Sequence, residues 1–151
     1  YRQNLSAAEL RQAALEALAA VELPHEFYDR RPGEVSLGQA QRACPARALV
    51  AAPEMILFDE PLSALDALVQ KKIALRLDQL RYQKDMTYIV VTHDLGFAAA
   101  YADQILLLRN GQTETRQSRN DFFAQPDSDY AQDLVAAART LGTLTHLEAA
   151  E

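Results

Sequence analysis

The 151-residue chain has no tryptophan, five glycines, a single cysteine and no apolar run near the length of a membrane span. A spanning helix needs roughly 18 consecutive apolar residues. The longest apolar stretches here are Met55 to Phe58, Tyr88 to Val91 and Ile105 to Leu108, which have the length of buried strands. No secretory signal pattern is present. Cys44 cannot form an internal disulfide, so a reducing compartment is the default. Basic residues are the minority, 15 Lys and Arg against 21 Asp and Glu, for a net charge of -6. Without a basic run, general nucleic-acid binding is a poor reading. Hydrophobic residues make up 49% and charged residues 24%, which excludes disorder throughout and fits one globular domain or a piece of one. There is no internal repeat and no low-complexity tract.

What is present alternates. Ser6-Ala-Ala-Glu9 reads as a capping box, followed by Leu10, Ala14, Leu15, Leu18 and Val21 at helical spacing up to Pro24. Tyr28 to Glu34 is a polar loop. Ser36-Leu-Gly-Gln39 is a second capping box, opening a helix toward Ala51 that Pro53 closes. Met55 to Phe58 is apolar at every position and predicts a strand buried on both faces, as in a parallel sheet. A helix follows from Asp66 to Lys84, with Leu68, Ile73, Leu77 and Leu80 on one side. Thr87 to Val91 is a second buried strand, Phe97 to Ala102 a short helix and Gln104 to Leu108 a third strand. Asn110-Gly111 is a hairpin turn, so Gln112 to Thr115 should fold back. Helices near Asn120 to Ala124 and Asp129 to Leu141 finish the chain. Strands alternating with helices predict an α/β fold.

Three features carry chemistry. Asp59 and Glu60 sit side by side at the C-terminal end of a strand, the edge where open α/β sheets bind ligands. One carboxylate can hold a hard cation such as Mg²⁺ through water while the other orients a nucleophilic water. Taken alone, the pair could equally start a solvated loop. The next strand ends in Thr92-His93-Asp94, at the same edge if the strands are parallel. A strand-end histidine by itself is more often structural, and His25 and His146 read as surface residues. Ser36 at a helix start could leave its hydroxyl and backbone N–H groups for an anion, although that segment alone reads as a plain capping box.

The order of these features resembles the C-terminal half of an ATP-binding-cassette (ABC) ATPase. Val35-Ser-Leu-Gly-Gln-Ala-Gln-Arg42 is similar to the family signature Leu-Ser-Gly-Gly-Gln-x-Gln-Arg, and Ala46-Arg-Ala-Leu49 to its continuation. Ile56-Leu-Phe-Asp-Glu-Pro61 resembles Walker B with its adjoining glutamate. Ser63-Ala-Leu-Asp66 resembles the D-loop, and Val91-Thr-His-Asp94 the switch-histidine loop. Arg31-Pro-Gly-Glu34 and the tail around Pro126 to Leu134 look most like the oligopeptide/nickel importer subgroup.

The resemblance implies an α/β, partial P-loop NTPase (ABC ATPase) fold: a parallel sheet core lacking the Walker A strand, together with part of the helical subdomain. It implies helical subdomain over 1–52, nucleotide-binding core over 53–117 and C-terminal helices over 118–151. Asp59 would bind Mg²⁺ through water, Glu60 would be the general base, and His93 would contact the γ-phosphate of ATP beside them. Ser36, Gly38 and Gln39 would contact nucleotide held by a second ABC ATPase subunit, with Asp66 shaping that interface. Transmembrane permease subunits would be partners, nucleic acid would not, and the protein would sit peripherally on the cytoplasmic face of the inner membrane.

The phosphate cradle Gly-x-x-x-x-Gly-Lys-Ser/Thr is missing from the sequence. Gly33 and Gly38 have its spacing, but Gln39-Ala40 follows. The expectation is therefore a fragment beginning inside the helical subdomain, inactive alone. In the family the cradle strand lies between the strands matching Thr87 to Val91 and Gln104 to Leu108, so both should show open edges. Leu37 stands where the family has a signature glycine, and a side chain there crowds a phosphate. Pro45 interrupts the signature helix ladder. Cys44 reads as a packing residue, with no base arranged for it. These departures support a competing reading, a non-catalytic half with a structural or regulatory role. A DNA-associated relative is disfavoured by the acidic balance and the absence of a coiled-coil insert.

Overall fold

In a computed structural model, residues 5–63 and 65–144 are described. They fall in two compact units that divide between Val91 and Thr92.

The first unit begins with helix α1, Ala7–Ala20, capped by the Ser6–Glu9 box. Short 3-10 turns cover His25–Asp29 and Pro32–Glu34, where the sequence suggested plain loop. Helix α2, Leu37–Val50, starts at the Ser36–Gln39 box and runs through Pro45 without a break. Alanine lets α1 and α2 approach closely, and Ala17, Ala20, Ala46 and Leu49 are buried. Strand β1, Met55–Asp59, then leads through helix α3, Ala67–Gln83, into strand β2, Thr87–Val91. The strands are parallel, with Ile56 opposite Tyr88 and Asp59 opposite Val91. This is one βαβ crossover, the connection that parallel strands require.

Two burial expectations are corrected. β1 is covered on one face only: Ile56 and Phe58 are buried, while Met55 and Leu57 are exposed, Leu57 at 65%. Ile89 and Val91 on β2 are exposed as well. The residues are apolar enough for two covered faces, but a pair of strands has a second layer on one side alone. On α3 the inward residues are Ile73, Ala74 and Leu77, and Leu68 is exposed. Five residues separate 68 from 73, about 140° around a helix, which takes Leu68 off the buried stripe.

The half-buried face of β2 carries one misfit. Tyr88 packs edge-on against Phe58, with ring centroids 5.1 Å apart, yet its hydroxyl is buried without a hydrogen-bond partner among the described residues. Burial pushes the phenol up to about 12, with Arg81 opposing and Asp78 adding to the shift. Because the folded value lies above the unfolded one, the neutral phenol's contribution is complete below about pH 10. It is lost as pH rises toward 12. Tyr88→Phe is expected to keep or slightly raise stability near pH 7, since an unpartnered hydroxyl costs about 1 kcal/mol or more to bury. It should also remove this part of the alkaline loss. Denaturant melts at pH 7 and pH 11 check both signs.

The second unit contains helix α4, Leu95–Tyr101, the antiparallel pair β3, Gln104–Arg109, and β4, Gln112–Ser118, and helices α5, Arg119–Ala124, and α6, Asp129–Thr140. Asn110 and Gly111 both have positive φ, as a two-residue hairpin turn demands. The core gathers Ala99, Phe122, Phe123, Ala131, Val135, Ala138 and Leu144, with Ile105 and Leu107 against it. Leu106 and Leu108, on the other face of β3, are exposed. At Gly96 an added Cβ would lie 2.7 Å from the carbonyl oxygen of Thr143, so the start of α4 needs glycine. Among the described residues, β1–β2 and β3–β4 form two separate two-stranded sheets. His25 is exposed, and His146 lies outside the described residues.

Candidate functional site

Asp59 is the last residue of β1 and is exposed. Glu60 follows in the left-handed region, with φ of 47°, and its N–H donates to the carbonyl of Val91 at 2.9 Å. That bond ties the end of β1 to the end of β2 and turns the two neighbouring carboxylates out of strand alternation. A non-glycine residue held there stores roughly 1–3 kcal/mol of strain, which persists only where the surroundings enforce it. The Ser63 hydroxyl donates to the Glu60 carbonyl at 3.1 Å, fixing the turn from the other side. Asp66 caps α3, its Oδ1 accepting from the Val69 N–H at 3.1 Å.

The Ser36 hydroxyl accepts from the Gln39 N–H at 3.3 Å, and the Ser36 N–H donates to Gln39 Oε1 at 2.8 Å. Gly38 lies in the first turn of α2. A Cβ built on it would stand 3.8 Å from Leu65 Cδ2, ordinary contact. The signature-like and D-loop-like segments are therefore neighbours within the first unit. Leu37, beside Gly38, is 75% exposed. His93 lies two residues beyond β2, at the start of the second unit, and is exposed. Next to it the Asp94 N–H donates to Thr92 Oγ1 at 3.0 Å, and Asp94 Oδ1 accepts from the Phe97 N–H at 3.0 Å, capping α4.

The structure thus brings Glu60 to the end of β2 and Gly38 to Leu65. Asp59 and Glu60 belong to one unit and His93 to the other. No cluster of three or more His, Cys, Asp or Glu among the described residues could enclose a metal ion. The single exposed Asp59 does fit Mg²⁺, which usually takes one or two carboxylates and completes its shell with waters and phosphate oxygens.

Comparison with known proteins decides the family. A sequence profile described as ABC transporter matches residues 2–63. The chain is 38% identical to the ATP-binding cassette MJ0796, solved as a dimer bound to ADP and Pi, with a TM-score of 0.71 over 79% of this chain and 51% of that one. The chain carries part of an ABC transporter ATPase domain. It is 35% identical to the uncharacterized ABC transporter ATP-binding protein YejF of Escherichia coli over 90% of this chain and 26% of that protein. It is 35% identical to the spermidine/putrescine import ATP-binding protein PotA of Frankia alni, over 99% and 32%. It is 41% identical to the Fe(3+) ions import ATP-binding protein FbpC of Escherichia coli, over 82% and 35%. The chain therefore spans about a third of the curated relatives it matches. Their names extend over several solutes and do not single out the oligopeptide/nickel subgroup.

Sequence reasoning missed two features of the ABC segment. The first is the left-handed Glu60, for which Glu-Pro after a strand end is only a faint signal. The second is the bond from Arg42 to the carbonyl of Glu22 at 2.6 Å, which joins residues 20 apart and has no local signature. Gly38 yields a prediction of opposed signs. Its φ is not positive and nothing in the chain is close enough to forbid a Cβ. Gly38→Ala should leave the fold intact and stabilise α2 by up to about 1 kcal/mol. If phosphate approaches that backbone, the same variant should lower ATP turnover of the assembled ATPase roughly tenfold or more. A melt and a phosphate-release assay on one preparation read both.

Proposed function

We propose that this chain supplies the Walker B, signature, D-loop and switch-histidine segments of the ATP-hydrolysing subunit of an ABC importer. The observation that carries the reading is the strained Glu60 at the end of a parallel strand, its N–H tied to the end of the next strand. In this reading Glu60 accepts a proton from the water that attacks the γ-phosphorus, as the bond to the ADP oxygen breaks. Asp59 would hold Mg²⁺ through water, and the chemistry a bound ion would supply there is charge neutralisation at the phosphate oxygens. His93 contacts the γ-phosphate. Ser36, Gly38 and Gln39 face nucleotide held by a second ATPase subunit, with Asp66 shaping that contact. The phosphate cradle must come from outside these 151 residues.

The division into helical subdomain over 1–52, core over 53–117 and C-terminal helices over 118–151 belongs to the same proposal. So do the partners, a second ATPase subunit and transmembrane permease subunits, and a peripheral place on the cytoplasmic face of the inner membrane. None of the described helices is long and apolar enough to cross a membrane. The peptide or nickel cargo suggested by Arg31 to Glu34 and the tail rests on those segments alone. Relatives named for spermidine/putrescine and Fe(3+) lead us to propose an importer ATPase of unassigned solute.

The test is to assemble the chain with a segment carrying the cradle and measure ATP binding and hydrolysis with and without Mg²⁺. Mg²⁺-dependent turnover supports the reading. ATP binding without turnover favours the non-catalytic half, for which the exposed Leu37 is the specific motive, and no ATP binding overturns both.

A further inference from the structure

Helix α2 is anchored unevenly. Its buried residues are Pro45, Ala46 and Leu49, all in the C-terminal half. Pro45 has no N–H, so the ladder lacks the bond to the carbonyl of Gln41 where that anchoring begins. The forward half, which presents Ser36 to Gln39, buries none of its residues fully. Among the described residues, its side-chain hydrogen bond to another element is that of the Arg42 guanidinium, which donates to the carbonyl of Glu22 at 2.6 Å.

Glu22 is suited to receive it. It lies just beyond α1 with φ of 58°. The flanking turn is held by Glu22 N–H to the Ala19 carbonyl at 3.2 Å and Leu23 N–H to the Leu18 carbonyl at 3.0 Å. Val21 and Leu23 on either side are buried. The acceptor is thus a main-chain oxygen on a rigid turn, approached by a charged donor, the stronger kind of hydrogen bond.

We propose that Arg42 is a positioning residue: its bond to the turn after α1 sets the direction of the forward half of α2 and so aims the Ser36–Gln39 end. The consequence for turnover rests on the ATPase reading above; the latch itself does not.

The test compares Arg42→Ala and Arg42→Lys with the parent in the assembled ATPase, by amide hydrogen exchange without nucleotide and by steady-state kinetics. Arg42→Ala should speed exchange at Ala40 and Leu23 roughly tenfold, the loss of one charge-assisted bond. Exchange within α3 should not change, whereas general destabilisation would move all three. Turnover should fall by a similar factor with KM for ATP within twofold, because a misaimed end still leaves the subunit's own nucleotide grip intact. Arg42→Lys keeps a cationic donor and should recover most of both losses. Unchanged exchange at Ala40 and Leu23 overturns the latch. Faster exchange there with parental turnover overturns the positioning role, as does a lysine no better than alanine. If the parent assembly hydrolyses no ATP, the function reading fails while exchange still decides the latch.

Discussion

Glu60→Gln is expected to lower ATP turnover of the assembled protein a hundredfold or more, with its melting temperature unchanged. The amide keeps the shape of the side chain but cannot take a proton from water, and a positioned base contributes roughly 10²–10⁴ in rate. Glu60→Gly separates the backbone from the chemistry at the same position. Glycine adopts φ of 47° without penalty, so that variant should be more stable by about 1 kcal/mol and equally inactive. Single-turnover hydrolysis beside a thermal melt checks both. Glutamine with parental turnover would remove Glu60 as the base.

The 151 residues alone are expected to show no single cooperative melt, and to self-associate. Met55, Leu57, Ile89 and Val91 form an exposed apolar face on the parallel pair, and each two-stranded sheet has open edges. A two-stranded sheet is marginal by itself, and an open edge beside an apolar face invites pairing with another copy. Light scattering and calorimetry across a concentration series measure this. A sharp, concentration-independent transition would show that the two units stand without further chain.

Local rules account for most of the elements found. Both capping boxes, the Asn110-Gly111 turn and the helix caps at Asp66 and Asp94 arise from bonds between residues two to four apart, and such bonds are legible in a sequence. Burial was less so, because a continuous apolar run says that both faces can be covered without saying that a layer is there. Met55 and Leu57 are the example. Leu68 is another, since apolar residues along a helix need not share one stripe. Glu60 and Arg42 depend on partners 31 and 20 residues away, beyond any local pattern. Of the candidate site, the order of the four motifs was plain. The strain at Glu60 and the closeness of Gly38 to Leu65 were not.

The Ser36–Gln39 box also sorts polarity. Both of its internal bonds consume side-chain acceptors: the serine oxygen receives one N–H and the glutamine oxygen another. The serine proton and the glutamine amino group remain as donors. An uncharged end thereby welcomes anions and is indifferent to cations. A carboxylate in place of the Gln39 amide would accept the same N–H and gain in addition from the helix dipole, while turning that surface repulsive to anions. Gln39→Glu therefore exchanges the capacity to receive an anion for a little more helix stability.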